Sequence, residues 1–135
     1  MNRMIFVNLP VADLERAKAF WKALGFDHNP QFSDETAACI VISEQIYFMV
    51  MTHEKFLGFT NKKVSDSRTT QEALISLSAG SRAEVDALAD TALKSDGSAA
   101  KPDMDLGFMY QRSFQDPDGH HFEVGYMDMS QMPAN

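Results

Sequence analysis

The feature that most constrains this 135-residue chain is a pattern that occurs twice. Met4 to Leu9 is a short apolar run of strand-forming residues ending at Pro10, and Ala73 to Ala79 is a second such run. A helix signal follows each. Asp13 stands where a side-chain oxygen accepts a backbone N–H of a first helical turn. Leu14, Ala17, Phe20, Trp21 and Leu24 then recur at helical spacing, with Glu15, Arg16, Lys18 and Lys22 between them. In the second half Ser81-Arg82-Ala83-Glu84 reads as a capping box, the hydroxyl bonding the Glu84 N–H and the carboxylate bonding back to Ser81. Val85, Leu88, Ala89 and Ala92 supply the apolar stripe. Gly25 and Gly97 are expected to end the two helices, because glycine accepts the left-handed conformation found there.

About three strands are expected after each helix. In the first half a strand over 36–42 and another over 45–52 flank a turn at Ser43-Glu44. In the second, a short strand over 98–101 and a longer one over 108–114 precede the turn Asp116-Pro117-Asp118-Gly119 and a last strand over 121–126. The tail from Met127 to Asn135 reads as loosely held. The caps Asp13 and Ser81 lie 68 residues apart, close to half the chain, so the repeat points to an internal duplication of pattern, not of residue identity. The expected architecture is α+β: one domain of two βαβββ modules, the first about residues 1–54, a connection about 55–70, the second about 71–128. The connection carries a short apolar piece (Phe56, Leu57, Phe59) and is longer than plain loops, so a short helix or a lid is expected within it.

Composition excludes several function classes. Twelve Lys and Arg against nineteen Asp and Glu give a formal charge of −7, a poor match for nucleic acid or an anionic membrane. Cys39 is the only cysteine, which excludes an intramolecular disulfide and fits a reducing compartment. The N-terminus lacks the apolar core of a signal peptide, and no apolar run approaches the ~20 residues of a membrane helix, so cytoplasm is the expected location.

Period-2 alternation assigns strand faces. Ile5, Val7 and Leu9 share one side of the first strand; Met4, Phe6 and Asn8 share the other. Ile75, Leu77 and Ala79 share one side of the strand that opens the second half; Leu74, Ser76 and Ser78 share the other. The fully apolar side is expected under each helix. The mixed side suits a small-molecule pocket, which needs apolar walls and a few polar anchors.

Two segments carry a family resemblance. Val11 to Phe26 (VADLERAKAFWKALGF) resembles the opening of glyoxalase/bleomycin-resistance, or vicinal oxygen chelate, proteins: V-x-D-L, an aromatic pair, then L-G-F. Ser113 to Val124 (SFQDPDGHHFEV) resembles the family's closing motif, F-x-D-P-D-G-x-x-x-E. The resemblance spans essentially the whole chain and includes lactoylglutathione lyase-like members. It implies two modules with U-shaped mixed sheets around a cavity, helices outside, and in many members a divalent metal held by His, Gln or Glu that chelates two adjacent substrate oxygens. Other members hold no metal and sequester a drug.

The sequence departs from that pattern at the ligand positions. The metal ligand of the first strand falls on Phe6, its counterpart in the second half on Leu74, and the ligand late in the first half near Phe48, all without donors. Glu123 alone survives. One carboxylate cannot hold a catalytic divalent ion, which wants at least three protein ligands. No cofactor and no metal are therefore expected.

Glu123 reads either as a remnant ligand, general base or substrate anchor, or as a carboxylate paired with Arg112 or water. His121 lies two residues earlier on the same side and reads as an acid/base partner or as a hydrogen-bonded histidine. Tyr110 and Arg112 share one side of their strand. Arg112 can anchor an anion by a forked pair of hydrogen bonds or join a salt bridge. Asn8, Ser76 and Ser78 are short polar groups on the mixed side; Phe6, Phe48 and Leu74 are apolar wall. His120 is expected to be exposed in its turn, and His53 to fill a loop or capping role. A metal built from His53, His121 and Glu123 is a conceivable unusual site. Cys39 reads as a small buried hydrophobe, and the Met residues of Met49–Met51 and Met127–Met132 as adaptable packing in a pocket or interface.

Three functions remain open: a metal-independent small-molecule-binding protein, drug sequestration included; a lyase, isomerase or transferase of the glyoxalase kind using Glu123, with or without His121; and a domain acting through dimerisation alone. The expected partners are an unidentified small molecule and a second copy of the chain.

Overall fold

The computed structural model describes residues 1–131. Their order is β1 (Ile5–Val11), α1 (Leu14–Ala23), β2 (His28–Asn29), β3 (Ala37–Val41), β4 (Ile46–Thr52), α2 (His53–Leu57), β5 (Leu74–Ser78), α3 (Arg82–Lys94), β6 (Ser98–Ala99), β7 (Met104–Asp105), β8 (Met109–Gln115) and β9 (His121–Met127), with single 3-10 turns at Pro30–Phe32 and Met129–Gln131. The chain divides into two compact units, the first Met1–Asp66, the second beginning at Ser67. Each holds one open mixed sheet with a helix against it, an α+β fold.

In the first unit the sheet order is β1-β4-β3-β2, with β1 parallel to β4 and the other pairs antiparallel. β1 does not stop at Leu9 but runs through Pro10 to Val11. It is an edge strand, and an edge tolerates a residue without an N–H. The polar stretch after α1, expected as loop, holds β2 and a 3-10 turn.

Asp13 caps α1 as the sequence predicts, its carboxylate accepting the Arg16 N–H at 3.1 Å. Gly25 ends the helix in the left-handed region at φ +100°. There the Phe26 N–H donates to Trp21 O (2.9 Å) and the Gly25 N–H to Lys22 O (3.0 Å), the paired bonds of a Schellman end. The apolar contact that accompanies such ends is Trp21 against Phe26, with ring centroids 6.2 Å apart. Trp21 and Phe20 are buried almost completely, and Trp21 meets Phe48 of β4 edge-on at 5.2 Å. An aromatic cluster thus fixes α1 to its sheet.

The connection carries the short helix expected there, α2, but its cap is Thr52, not His53: the Thr52 hydroxyl accepts the Lys55 N–H at 3.2 Å.

The second unit repeats the topology: β5-β9-β8-β6, with β5 parallel to β9, and β7 also pairing with β8. The two-residue β7 is a strand that sequence reading misses, since Asp and Gly are poor strand formers. Arg82 holds it with two bonds to the Asp105 carboxylate (2.8 and 2.9 Å) and one to Gly107 O (3.0 Å).

Two details of α3 differ from expectation. Ser81 accepts the Glu84 N–H at 3.1 Å, but the Glu84 carboxylate takes the N–H of Gly80, one residue earlier, at 3.2 Å. At the other end the left-handed residue is Asp96 (φ +78°), not Gly97. The Gly97 N–H closes the turn on Ala92 O at 2.9 Å.

The closing turn is tightly built. Asp116 Oδ1 accepts the N–H groups of Asp118 (3.0 Å) and His120 (2.8 Å). Gly119 has φ +90°, and a side-chain carbon there would lie 3.0–3.1 Å from the Ser67 and Arg68 backbone. The Arg68 guanidinium donates to Pro117 O at 3.0 Å. Of the tail expected to be loose, Met127 belongs to β9 and Met129–Gln131 form a 3-10 turn; residues 132–135, Met132 included, lie outside the described residues. Among the described residues no helix is long and apolar enough to cross a membrane.

Candidate functional site

Strand register decides which predicted residues meet. On β9, Phe122 and Val124 are buried under α3, so His121, Glu123, Gly125 and Met127 alternate onto the opposite side. Their partners on β5 are Leu74 opposite His121, Ser76 opposite Glu123 and Ser78 opposite Gly125. Their partners on β8 are Ser113, Gln111 and Met109, opposite Glu123, Gly125 and Met127 respectively. Glu123, Gly125, Met127, Ser76, Ser78, Met109 and Gln111 line an open cleft of about 330 Å³.

Glu123 is the hub. The Ser76 hydroxyl donates to Oε1 at 2.6 Å, and His121 Nε2 lies 3.5 Å from Oε2. Four of the expected site residues, Glu123, His121, Ser76 and Leu74, therefore share one face of one sheet. The hydroxyl order is not that of a nucleophile triad, in which an imidazole stands between hydroxyl and carboxylate. Here the carboxylate stands between, so the arrangement can anchor a donor or move a proton at Oε2, and it does not activate Ser76 as a nucleophile.

Three expected site residues lie on the helix sides of their sheets. Tyr110 and Arg112 stand on the α3 side of β8, where Arg112 is opposite Val124 and not opposite Glu123. Tyr110 donates to Asp86 Oδ1 at 2.6 Å. Arg112 binds Asp86 (3.1 Å), Asp90 (2.8 Å) and Asp103 (3.2 Å), and its side chain is 14% exposed. The pairing of Arg112 with Glu123 that the sequence allowed is replaced by this network; parity of one residue separates them. The hydrogen bond to Asp86 pushes the Tyr110 hydroxyl up to about 12. Burial works against the Arg112 charge, but hydrogen bonds to Asp90 and Asp86 and the charge of Asp103 outweigh it, so its pKa is raised. The Arg82 hydrogen bonds, with the Gly107 N–H, lower Asp105 to about 2.

Phe48 is the third. It is fully buried against Trp21, on the helix side, because it pairs with Val7. The open side of the first sheet carries Phe6, which stacks on Tyr47 at 5.0 Å and 13°, and Asn8, opposite Met49. The Asn8 amide donates to Phe6 O at 3.3 Å.

His120, expected in solvent, is 7% exposed, with Nδ1 2.7 Å from Asp116 Oδ2. It is part of the turn's architecture. Cys39 is buried as expected, and burial pushes its thiol up. Sequence reading missed Gly125, Met109 and Gln111 and placed Met127 only among the methionines of a pocket or interface, although the alternation Glu123, Gly125, Met127 was available to set two of these four on the side of Glu123.

The donor set does not fit the superfamily's divalent metal. Phe6 and Leu74, at two ligand positions, offer no donor; Met49, which pairing places at the third, offers only a thioether. Among the described residues no group of three or more His, Cys, Asp or Glu side chains could hold a metal ion.

The class defined by this architecture is a pair of βαβββ units, each with a mixed sheet open on one side. Residues 3–43 match the family model for the bleomycin resistance protein-like N-terminal region. No curated protein matches the chain. Among solved structures it is similar to a hypothetical protein from S. aureus (28% identity, 93% of this chain and 94% of that one, TM-score 0.78). It is also similar to a glyoxalase/bleomycin resistance protein/dioxygenase family enzyme from Burkholderia phytofirmans (16%, 90% and 96%, 0.74). A third is the fosfomycin resistance protein FosX from Mesorhizobium loti (15%, 97% and 97%, 0.69). The chain thus shares its fold with proteins named for the glyoxalase/bleomycin resistance/dioxygenase family.

Proposed function

We propose that the chain binds a small organic molecule in the cleft beside Glu123, without a divalent metal at the superfamily's ligand positions. The observation that carries this reading is the register of that face: a carboxylate and hydroxyls at one end, thioethers at the other, and apolar residues where metal ligands would stand. The resistance and glyoxalase-family names of the structural neighbours support a small-molecule or resistance-type role. Fragment screening by amide chemical-shift perturbation tests it. Hits should cluster on β5, β8 and β9; hits confined to other surfaces, or one divalent ion per chain held at sub-micromolar affinity, would overturn it.

A second reading is favoured by the 2.6 Å Ser76 bond and the nearby His121 imidazole: Glu123 acts as the acid/base of a glyoxalase-type lyase, isomerase or transferase. Glu123→Gln would then abolish turnover while leaving the fold intact; an unchanged rate removes Glu123 from the chemistry. A homodimer belongs to the same proposal, and a gel-filtration mass of 15.1 kDa would contradict it.

A further inference from the structure

We infer that the ligand of the Glu123 cleft is an amphipathic organic cation: an ammonium or amidinium head on a flat apolar body. The inference rests on the small-molecule reading above and names the class of molecule.

The cleft is graded along β9. Its first row is Ser76, Glu123 and Ser113; its second is Ser78, Gly125 and Gln111; its third sets Met127 beside Met109. Four residues of strand separate Glu123 from Met127, a span of ~13 Å at the usual rise. The carboxylate end is only partly satisfied. Ser76 donates one hydrogen bond to Oε1 and His121 stands 3.5 Å from Oε2, while the Ser113 hydroxyl is engaged with the Lys101 backbone, so acceptor capacity remains on Glu123. No Lys, Arg, His or second acid is among the residues lining the 330 Å³ cleft. Lys101 and Arg112 line an adjoining hollow of about 130 Å³, but the Arg112 charge is taken up by Asp86, Asp90 and Asp103, and among the described residues no ion pair joins either cation to Glu123.

An N–H⁺ donor to this carboxylate makes a charge-assisted bond, the stronger kind. A carboxylate or phosphate head would meet like charge, in a chain of formal charge −7.

The middle row sets the shape of the body. Gly125 leaves the strand floor bare, and a side-chain carbon there would sit 3.8–3.9 Å from Tyr110 O and Gln111, ordinary contacts that show open room above. A planar group can lie on that backbone. Beyond it the Met127 and Met109 thioethers, adaptable and polarizable, suit an aromatic ring edge.

The test uses three probes of one skeleton: tryptamine, neutral tryptophol and anionic indole-3-propionate, titrated at neutral pH and followed by amide shifts on β5, β8 and β9. Tryptamine should bind saturably and at least tenfold more tightly than tryptophol, and indole-3-propionate more weakly still. Glu123→Gln should erase the preference of tryptamine over tryptophol. Gly125→Met should block the cleft, and Gly125→Ala, whose added carbon fits, should keep the fold and weaken binding severalfold. Equal binding of all three probes, abolished by Gly125→Met, overturns the cation assignment while the small-molecule reading stands. Tighter binding of the anion, a preference that survives Glu123→Gln, or no binding of any of the three also overturns it; in the last case the fragment screen decides the broader reading on its own.

Discussion

The two units share topology and cap positions but differ on both sides of their sheets. Position by position, the first unit sets Asn8, Met49 and Cys39 where the second sets Ser76, Glu123 and Ser113. It sets Pro10, Met51 and Ala37 where the second sets Ser78, Gly125 and Gln111. Met51, Cys39 and Ala37 are buried, whereas their counterparts line an open cleft or its edge. The helix sides differ in the opposite sense. Aromatic rings hold α1, while small residues and a charged network on Arg112 hold α3. The repeated fold thus keeps its backbone rules and distributes polarity freely between its copies: the first unit buries Met51, Cys39 and Ala37 where the second sets Gly125, Ser113 and Gln111, and the second is polar on both sides of its sheet.

The largest test removes the aromatic anchor. Trp21→Ala deletes a buried ring that touches Phe20, Phe26 and Phe48 and should lower stability by about 4 kcal/mol in denaturant titration, with little dependence on salt. Arg112→Met should cost less, about 2 kcal/mol, because its carboxylate partners are half-exposed. Unlike the first loss, this one should raise hydrogen exchange in α3 and depend on pH. The Tyr110 hydrogen bond, with Arg112, lowers the Asp86 pKa. The network's contribution is then full above the unfolded value, near 3.8, and is lost as pH falls below it, so wild type and variant should converge in acid. If Trp21→Ala proves salt-sensitive or Arg112→Met does not, the contrast between the two attachments fails.

Tyr110 gives the alkaline counterpart. Its pKa is raised to about 12, so its bond to Asp86 stabilises fully below the unfolded value of 10 and is lost as pH rises through 12. The stability gap between wild type and Tyr110→Phe should close across that window.

The smallest expected effect compares the helix ends. Asp96 occupies a left-handed position that costs a residue with a side chain about 1 kcal/mol, so Asp96→Gly should stabilise by roughly 0.5–1 kcal/mol, and Gly25→Ala should destabilise by about as much. Equal responses at the two ends would erase this difference between the units.

Much of the fold was legible because its signals are local. Asp13, Ser81 and Gly25 act within one turn of their own positions, and hydrophobic spacing marks both helices. The site was legible only where parity sufficed. Glu123, His121, Ser76 and Leu74 follow from alternation within strands and one inter-strand register. Phe48 and the pair Tyr110 and Arg112 were misplaced because the side of a strand is fixed by what packs on it, and α3 supplies carboxylates at Asp86 and Asp90 that no periodicity on β8 reveals. Asp96 escaped because a nearby glycine offered the cheaper assignment.

The turn from Asp116 to His120 has a consequence for tracing lineages. Its aspartate, glycine and histidine are consumed in folding the backbone back and clasping the start of the second unit through Ser67 and Arg68. A sequence that keeps this phrase keeps the turn, and says nothing about what the neighbouring strand grips. Vocabulary and occupation are written in different residues, so descendants can change trade without changing their signature.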